Sequence, residues 1–395
     1  MKKNLPIIIV LLLFFIQEGN TQVVNYFSVP GYNEISKIDT NAYSVLPSGR
    51  YVKPAGQSIR ISHDPFGLAI SPNQKIAITM HENAITIIDL ASMQQKRIPE
   101  YKKNAFNPLK KGSFLGVAFN TNKNIVYLSG GDEGSVVIYD YVQNKKIDSI
   151  LLDGNFGGIK YEGSFTSDLI YEAKRNELLI LDRGNFRLVR YSLDNKKIIA
   201  SIATGRQPFG LAISPDQKTV LVANVGMYAY PIVEGTTKEN IQSQYINWHP
   251  YGNNTKESIE GKVIDGKKIP GLGSPNVDES MSVYVIDLAT NKVKAKLKTG
   301  MLLGELVEDA EVIGGASPNS IVVGSKFAYV TNATNDNIAV IDYKKGRIVK
   351  HIPIKVDQRI DKLRGLVPFG IDLTKDEKYL FVALLGFNAV AKIDL

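Results

Sequence analysis

The chain has 395 residues, of which 44% are hydrophobic and 22% charged, with a formal net charge of +8. This composition is enough to bury a large core and excludes a disordered or low-complexity chain. Cysteine is absent, which excludes disulfides, thiolate metal sites and cysteine nucleophiles.

In chain order, residues 1–22 read MKKNLPIIIVLLLFFIQEGNTQ, with Lys2 and Lys3 ahead of an apolar run from Leu5 to Ile16. The run is too short to span a bilayer comfortably, so it reads as a cleaved secretory signal. The expected location is therefore periplasmic or secreted, with no transmembrane segment after cleavage near Gln22. Residues 23–62 form an N-terminal segment. Within it, RYVKPAGQSIRIS (50–62) is expected to lend an outer strand to the last sheet and so tie the two ends of the fold together.

From residue 63 to 395 the chain repeats itself. DPFGLAISPNQKIAITM (64–80), QPFGLAISPDQKTVLVAN (207–224) and VPFGIDLTKDEKYLFVA (367–383) are variants of one line. Each copy holds three short β-type runs separated by turn residues. The third run closes at Asp89, Asp140, Ser192, Asp287, Asp342 and Asp394. One unit is thus about 52 residues, and the fourth unit carries an insertion at 229–280. Segments such as QKRIPE (95–100), KKIIASIA (196–203) and NKVKAKLK (291–298) read as a fourth strand, with Lys and Arg guarding an exposed edge. A sheet of this kind cannot bury both of its faces alone. Stacking such sheets around an axis buries them, so the expected fold is all-β: a β-propeller of four-stranded antiparallel blades, six units by count. Gly67, Gly116 and Gly210 suit the innermost strands, where side-chain room is least. The single tryptophan argues against a propeller with a Trp signature in every blade.

Tyr329, Val330, Thr331 and Asn332, followed by ATNDNIAVID, resemble the namesake motif of the YVTN-type, YncE-like bacterial propellers. LPSGRYVKPAG (46–56), NVGMYAY (224–230), KKIPGLGSPNVDESMSVYVIDL (267–288) and GGASPNSIVV (314–323) are similar to one branch, in which the propeller precedes a phosphoesterase. The resemblance implies seven blades and a surface on which a second domain docks. The six units counted here depart from that pattern, and the reading is either a truncated product or a compact ring. A ring lacking one blade is expected to expose an open apolar gap.

No catalytic constellation is legible. The histidines His63, His81, His249 and His351 lack ligand spacing, and no phosphate loop, nucleophile elbow or EF-hand pattern occurs. No cofactor or metal is expected. GGDEGS (130–135) and NATNDN (332–337) read as tight turns. Strand parity places all second-to-third-strand loops on one face, together with the connections between blades. The candidate binding residues on that face are Arg183, Phe186, Arg187, Asn224, Tyr228, Tyr230, Trp248, His249, Asn332, Asn335 and Asp336. The expected function is that of an exported, non-enzymatic, monomeric scaffold that binds a protein partner or small ligand there. Two alternatives stand beside it. One is an enzyme with a metal or cofactor in the central channel, lactonase- or dehydrogenase-like. The other, motivated by the net charge, is a polyanion- or DNA-binding propeller, less favoured because Lys and Arg are scattered.

Overall fold

The protein is described by a computed structural model that covers residues 28–109, 115–237, 239–243, 255–307, 310–312, 314–357 and 363–395. The chain divides into two units, Met1–Arg60 and Ile61–Leu395. The first contains a two-stranded hairpin that pairs Ser44–Val45 with Tyr51–Val52. Tyr51 and Val52, which were expected to serve the last sheet, are thus paired locally.

The second unit is all-β apart from short helical turns, and its main body is six antiparallel sheets. Blade 1 comprises Leu68–Ile70, Ile76–His81, Ala84–Asp89 and Gln95–Ile98. Blade 2 comprises Val117–Phe119, Ile125–Ser129, Ser135–Asp140 and Lys145–Leu151. Blade 3 comprises Thr166–Glu172, Glu177–Asp182, Arg187–Ser192 and Lys197–Ala203. Blade 4 comprises Pro208–Ile213, Thr219–Asn224, Ser282–Asp287 and Lys292–Lys298. Blade 5 comprises Pro318–Val323, Ala328–Asn332, Asn337–Asp342 and Arg347–Pro353. Blade 6 has three strands, Pro368–Leu373, Tyr379–Leu384 and Ala389–Asp394. The expected edge strands are present in blades 1 to 5, and in blade 4 lysines alternate along the exposed edge.

The repeated residues have repeated jobs. In SPNQK, Ser71 Oγ donates to Asn73 Oδ1 (2.8 Å) and accepts from the Ile76 amide (2.9 Å). The same arrangement recurs at Ser214, Asp216 and Thr219, and at Thr374, Asp376 and Tyr379. Gln74, Gln217 and Glu377 take positive φ in these turns. The line is rewritten because each first hairpin needs the same hydroxyl–carboxamide or hydroxyl–carboxylate turn. The Asp that closes the third strand has a second job. Asp89, Asp140, Asp287 and Asp342 each accept backbone N–H groups of the turn that leads to the outer strand.

Strand side chains alternate between two apolar faces. Leu178 and Ile180 pack toward blade 2, and Leu179 and Leu181 toward blade 4. Each such fully buried side chain contributes about 1.5–3 kcal/mol relative to exposure. Five cores of this kind join blades 1–2, 2–3, 3–4, 4–5 and 5–6. Among the described residues no core joins blade 6 to blade 1. Instead Leu68 (64% exposed) and Ile70 (55%) of blade 1 face solvent, as do Phe381 (42%) and Val390 (68%) of blade 6.

The innermost strands tell the same story. Gly67, Gly116, Asp168, Gly210, Ser320 and Gly370 occupy equivalent positions, each just before a paired residue of the strand. A Cβ at Gly67 would sit 1.9 Å from the Leu115 carbonyl oxygen of blade 2, and one at Gly210 would sit 1.9 Å from that of Asn319 in blade 5. At Gly370 the added atom would meet only the Ala383 Cβ, at 3.9 Å. Among the described residues, blade 6 has no neighbouring inner strand against Gly370 of the kind that blades 1 and 4 have. The exposed apolar side chains of blades 1 and 6 lie on the faces where such a gap would stand.

Asp168 stands in blade 3 where most blades have glycine. Its carboxylate accepts the Leu169 amide (2.8 Å) and, across the seam, the Leu211 amide of blade 4 (3.0 Å). Enclosure among the inner strands outweighs these two donors and pushes its pKa up to about 7. A carboxyl whose folded pKa lies above its unfolded value binds its proton more tightly when folded. Folded stability is therefore expected to fall as pH rises from about 4 to about 7, and to lose nothing further above that. Asp168→Asn should remove this component, making the variant more stable than the parent by about 1–3 kcal/mol at pH 8 and no more stable at pH 4. Urea titrations of both proteins across that range measure the difference. A gap that does not change with pH would contradict the assignment.

Candidate binding site on the loop face

With strands antiparallel within every blade, the second-to-third-strand loops and the connections between blades emerge on one face. A cavity of about 320 Å³ opens there. Its walls come from both classes of segment. Arg183 and Thr334 belong to the loops of blades 3 and 5, and Val225, Gly226, Met227 and Tyr230 follow the second strand of blade 4. Gln207, Gly314 and Ser317 lie in the connections that precede blades 4 and 5, and Met281 precedes the third strand of blade 4.

Among the described residues Arg183 is the only charged one in that lining. Its Nε donates to Gln207 Oε1 (2.5 Å), and its guanidinium lies 5.7 Å from the centre of the Phe165 ring. Burial lowers its pKa from the ordinary arginine value, the direction expected for a cation taken out of water. The wall beside it is held by Arg206, whose Nη1 donates to the Met227 and Ser274 carbonyls and to Ser280 Oγ, each at 2.9 Å. Tyr230 is 60% exposed, and its ring stands edge-on to that of the buried Tyr228 at 6.0 Å.

Of the residues expected here, Arg183 and Tyr230 line the cavity, with Tyr228 directly behind. Phe186 is half-buried at a left-handed turn, φ 49°. The rest are placed in the scaffold. Arg187, 1% exposed, donates from Nε to Asp182 Oδ2 (2.7 Å) and from Nη2 to the Leu152 carbonyl (2.8 Å), and stacks 3.5 Å from the centre of the Tyr161 ring. Asn224 is fully buried against Ser282. Asn332 accepts from Thr299 Oγ1 and donates to Asn337 Oδ1. Asn335 accepts the Met301 amide, and Asp336 accepts the amides of Gly365 and Val367. Arg187, Asn332 and Asn335 tie their blade's loop to the preceding connection and Asp336 to the following one, whereas Asn224 bonds within its own blade. Trp248 and His249 lie outside the described residues.

Sequence reasoning missed Gln207, Met227, Met281 and Thr334. Only strand parity pointed toward them, because it puts the connections between blades on the same face as the loops. The insertion folds back beside Tyr230. Its short helix Lys256–Glu260 is capped by Thr255, the hairpin Gly261–Ile264/Lys267–Pro270 follows, and the Ala229 amide donates to the Leu272 carbonyl (3.2 Å). Among the described residues no group of three or more His, Cys, Asp or Glu is arranged to hold a metal ion. No helix there is long and apolar enough to cross a membrane.

No protein-family model matches the chain, and no curated protein matches it in sequence. Solved structures do match in fold. Virginiamycin B lyase from Staphylococcus aureus aligns with a TM-score of 0.53 at 11% identity, covering 90% of this chain and 88% of that one. The structure of U3-55K aligns with a TM-score of 0.54 at 11% identity, covering 90% of each chain. A chain of the mitotic checkpoint complex aligns with a TM-score of 0.50 at 10% identity, covering 83% and 73%. At such identities the likeness extends to the fold alone: this chain is a β-propeller.

Proposed function

We propose that the protein is an exported, non-enzymatic β-propeller that binds a ligand or a segment of a partner protein through its loop face. The observation that carries the reading is the cavity at that face, where Arg183 meets a single neutral side-chain acceptor. The resemblance of Tyr329–Asn332 to the YVTN-type motif and the signal-like run at 5–16 support an exported member of that propeller class. The motif itself serves packing. Tyr329 and Val330 enter the cores shared with blades 6 and 4, and Thr331 Oγ1 donates to the Phe369 carbonyl (2.8 Å).

The test is a screen of small neutral and charged fragments by ligand-observed NMR, with bound positions mapped by hydrogen exchange. Hits should protect amides in 183–187, 224–230 and 314–317. Protection confined to the opposite hairpins, 71–76 and 214–219, would overturn the reading.

A further inference from the structure

We infer that the loop-face cavity is a site for a small monocarboxylate with an apolar or aromatic body, its carboxylate held by Arg183 and its body lying against Met227, Met281, Val225 and Tyr230. The inference rests on the loop-face reading above and names the ligand class.

The first ground is charge. Arg187 pairs with Asp182 at 2.7 Å, and Arg190 with Glu177 at 2.8 Å. Arg206 has three oxygen acceptors, and Lys298 Nζ donates to the carbonyls of Val277 (3.1 Å) and Ser280 (2.6 Å). Arg183 departs from this pattern. Among the described residues it has no carboxylate within ion-pair distance, and its guanidinium meets one neutral amide through Nε alone. The terminal nitrogens of that fork remain for a guest. A partly desolvated cation gains most from an anion that accepts two parallel N–H bonds, which is the geometry of a carboxylate. Desolvation of the site strengthens that pairing relative to water.

The second ground is stoichiometry of charge. Among the described residues one cation lines the cavity and no other charged side chain does. A monoanion is neutralised there, whereas a phosphate dianion would keep a negative charge in a partly dehydrated site. The third ground is the wall. Two thioethers, a valine and a tyrosine ring favour a polarizable apolar body. The volume, about 320 Å³, is at the small end of ligand pockets.

Isothermal titration of the mature chain with phenylacetate, acetate, benzamide, benzylamine and inorganic phosphate tests the proposal. Phenylacetate should bind at one site, at least tenfold more tightly than acetate, benzamide or phosphate, with no heat from benzylamine. Arg183→Gln should weaken phenylacetate at least tenfold and leave the binding of benzamide unchanged. Tyr230→Ala, at an exposed position that does not threaten folding, should weaken phenylacetate several-fold and acetate not at all. Phenylacetate binding that is indifferent to both substitutions would overturn the assignment. So would benzamide or phosphate binding as tightly as phenylacetate. In those last two cases the loop-face reading survives if hydrogen exchange still places the fragment at 183–187 and 224–230. Both fall if no fragment protects that face.

Discussion

Arg187→Ala is expected to destabilise the folded chain by about 3–5 kcal/mol, the cost of leaving one member of a buried ion pair without its partner. The Asp182 side chain is fully buried, and its carboxylate also accepts from Ser164 Oγ (2.8 Å) and the Phe165 amide (3.0 Å). These neutral donors remain in the variant, but the charge they surround is no longer neutralised. The lost side chain also vacates the space over Tyr161 and frees the Leu152 carbonyl. Removing both charges avoids the orphaned carboxylate. The pair Asp182→Leu, Arg187→Met should therefore cost less than Arg187→Ala alone, and urea denaturation of the double and of the Asp182→Leu and Arg187→Met single variants gives the coupling. A single-variant loss below about 1 kcal/mol, typical of an exposed pair, would contradict the buried assignment and would return Arg187 to the set of ligand candidates.

Gly210→Ala is the second large effect, and it is informative beside Gly370→Ala. The two glycines hold equivalent places in blades 4 and 6. At Gly210 the new methyl would stand 1.9 Å from the Asn319 carbonyl oxygen and 3.0 Å from its carbonyl carbon. Both are backbone atoms of the neighbouring inner strand, so no rotamer change relieves the clash. The blades must separate locally, which costs about 3 kcal/mol or more, the upper end of overpacking effects. At Gly370 the nearest atom is 3.9 Å away. Substitution there should stay within about 1 kcal/mol, because nothing must move and the unfolded chain loses some freedom. Thermal unfolding of the two variants gives the comparison. Equal losses would show that blade 6 has a neighbour against its inner strand, and the open seam would have to be abandoned.

The repeat made most of the fold legible. Its Asp residues at 89, 140, 287 and 342 are periodic because each caps the same turn, and SPNQK, SPDQK and TKDEK recur because each builds the same hairpin. ELLILD (177–182) is a nearly continuous apolar run because the strand is buried on both faces, a blade on each side. A gap was expected only for a ring lacking one blade; the solvent-facing Leu68 and Ile70 of blade 1 are legible as apolar in the sequence, but not as exposed. The binding face was half legible. Arg183 and Arg187 stand four residues apart in one loop-and-strand stretch, and no local rule separates them. Arg187 lies in a strand and points between sheets, where Asp182 awaits it. Arg183 lies in the turn and reaches the cavity. The polar residues that end second strands, Asn224 and Asn332 among them, looked ligand-facing because they are polar and sit beside loops. They are buried because Asn332 accepts from Thr299 at a blade junction and Asn224 donates to the Ser282 carbonyl within blade 4, groups that burial would otherwise leave without that bond. Gln207, Met281 and Thr334 come from three separate segments, so only the assembled sheets bring them to Arg183.

The central claim is that the loop-face cavity receives a carboxylate at Arg183. The most direct measurement is the anomalous diffraction of crystals grown with 4-bromophenylacetate. The account predicts a bromine peak between Met227, Met281 and Tyr230, with the carboxylate density on the Arg183 guanidinium. A bromine peak found only against the exposed faces of blades 1 and 6, beside Leu68 or Phe381, would contradict it.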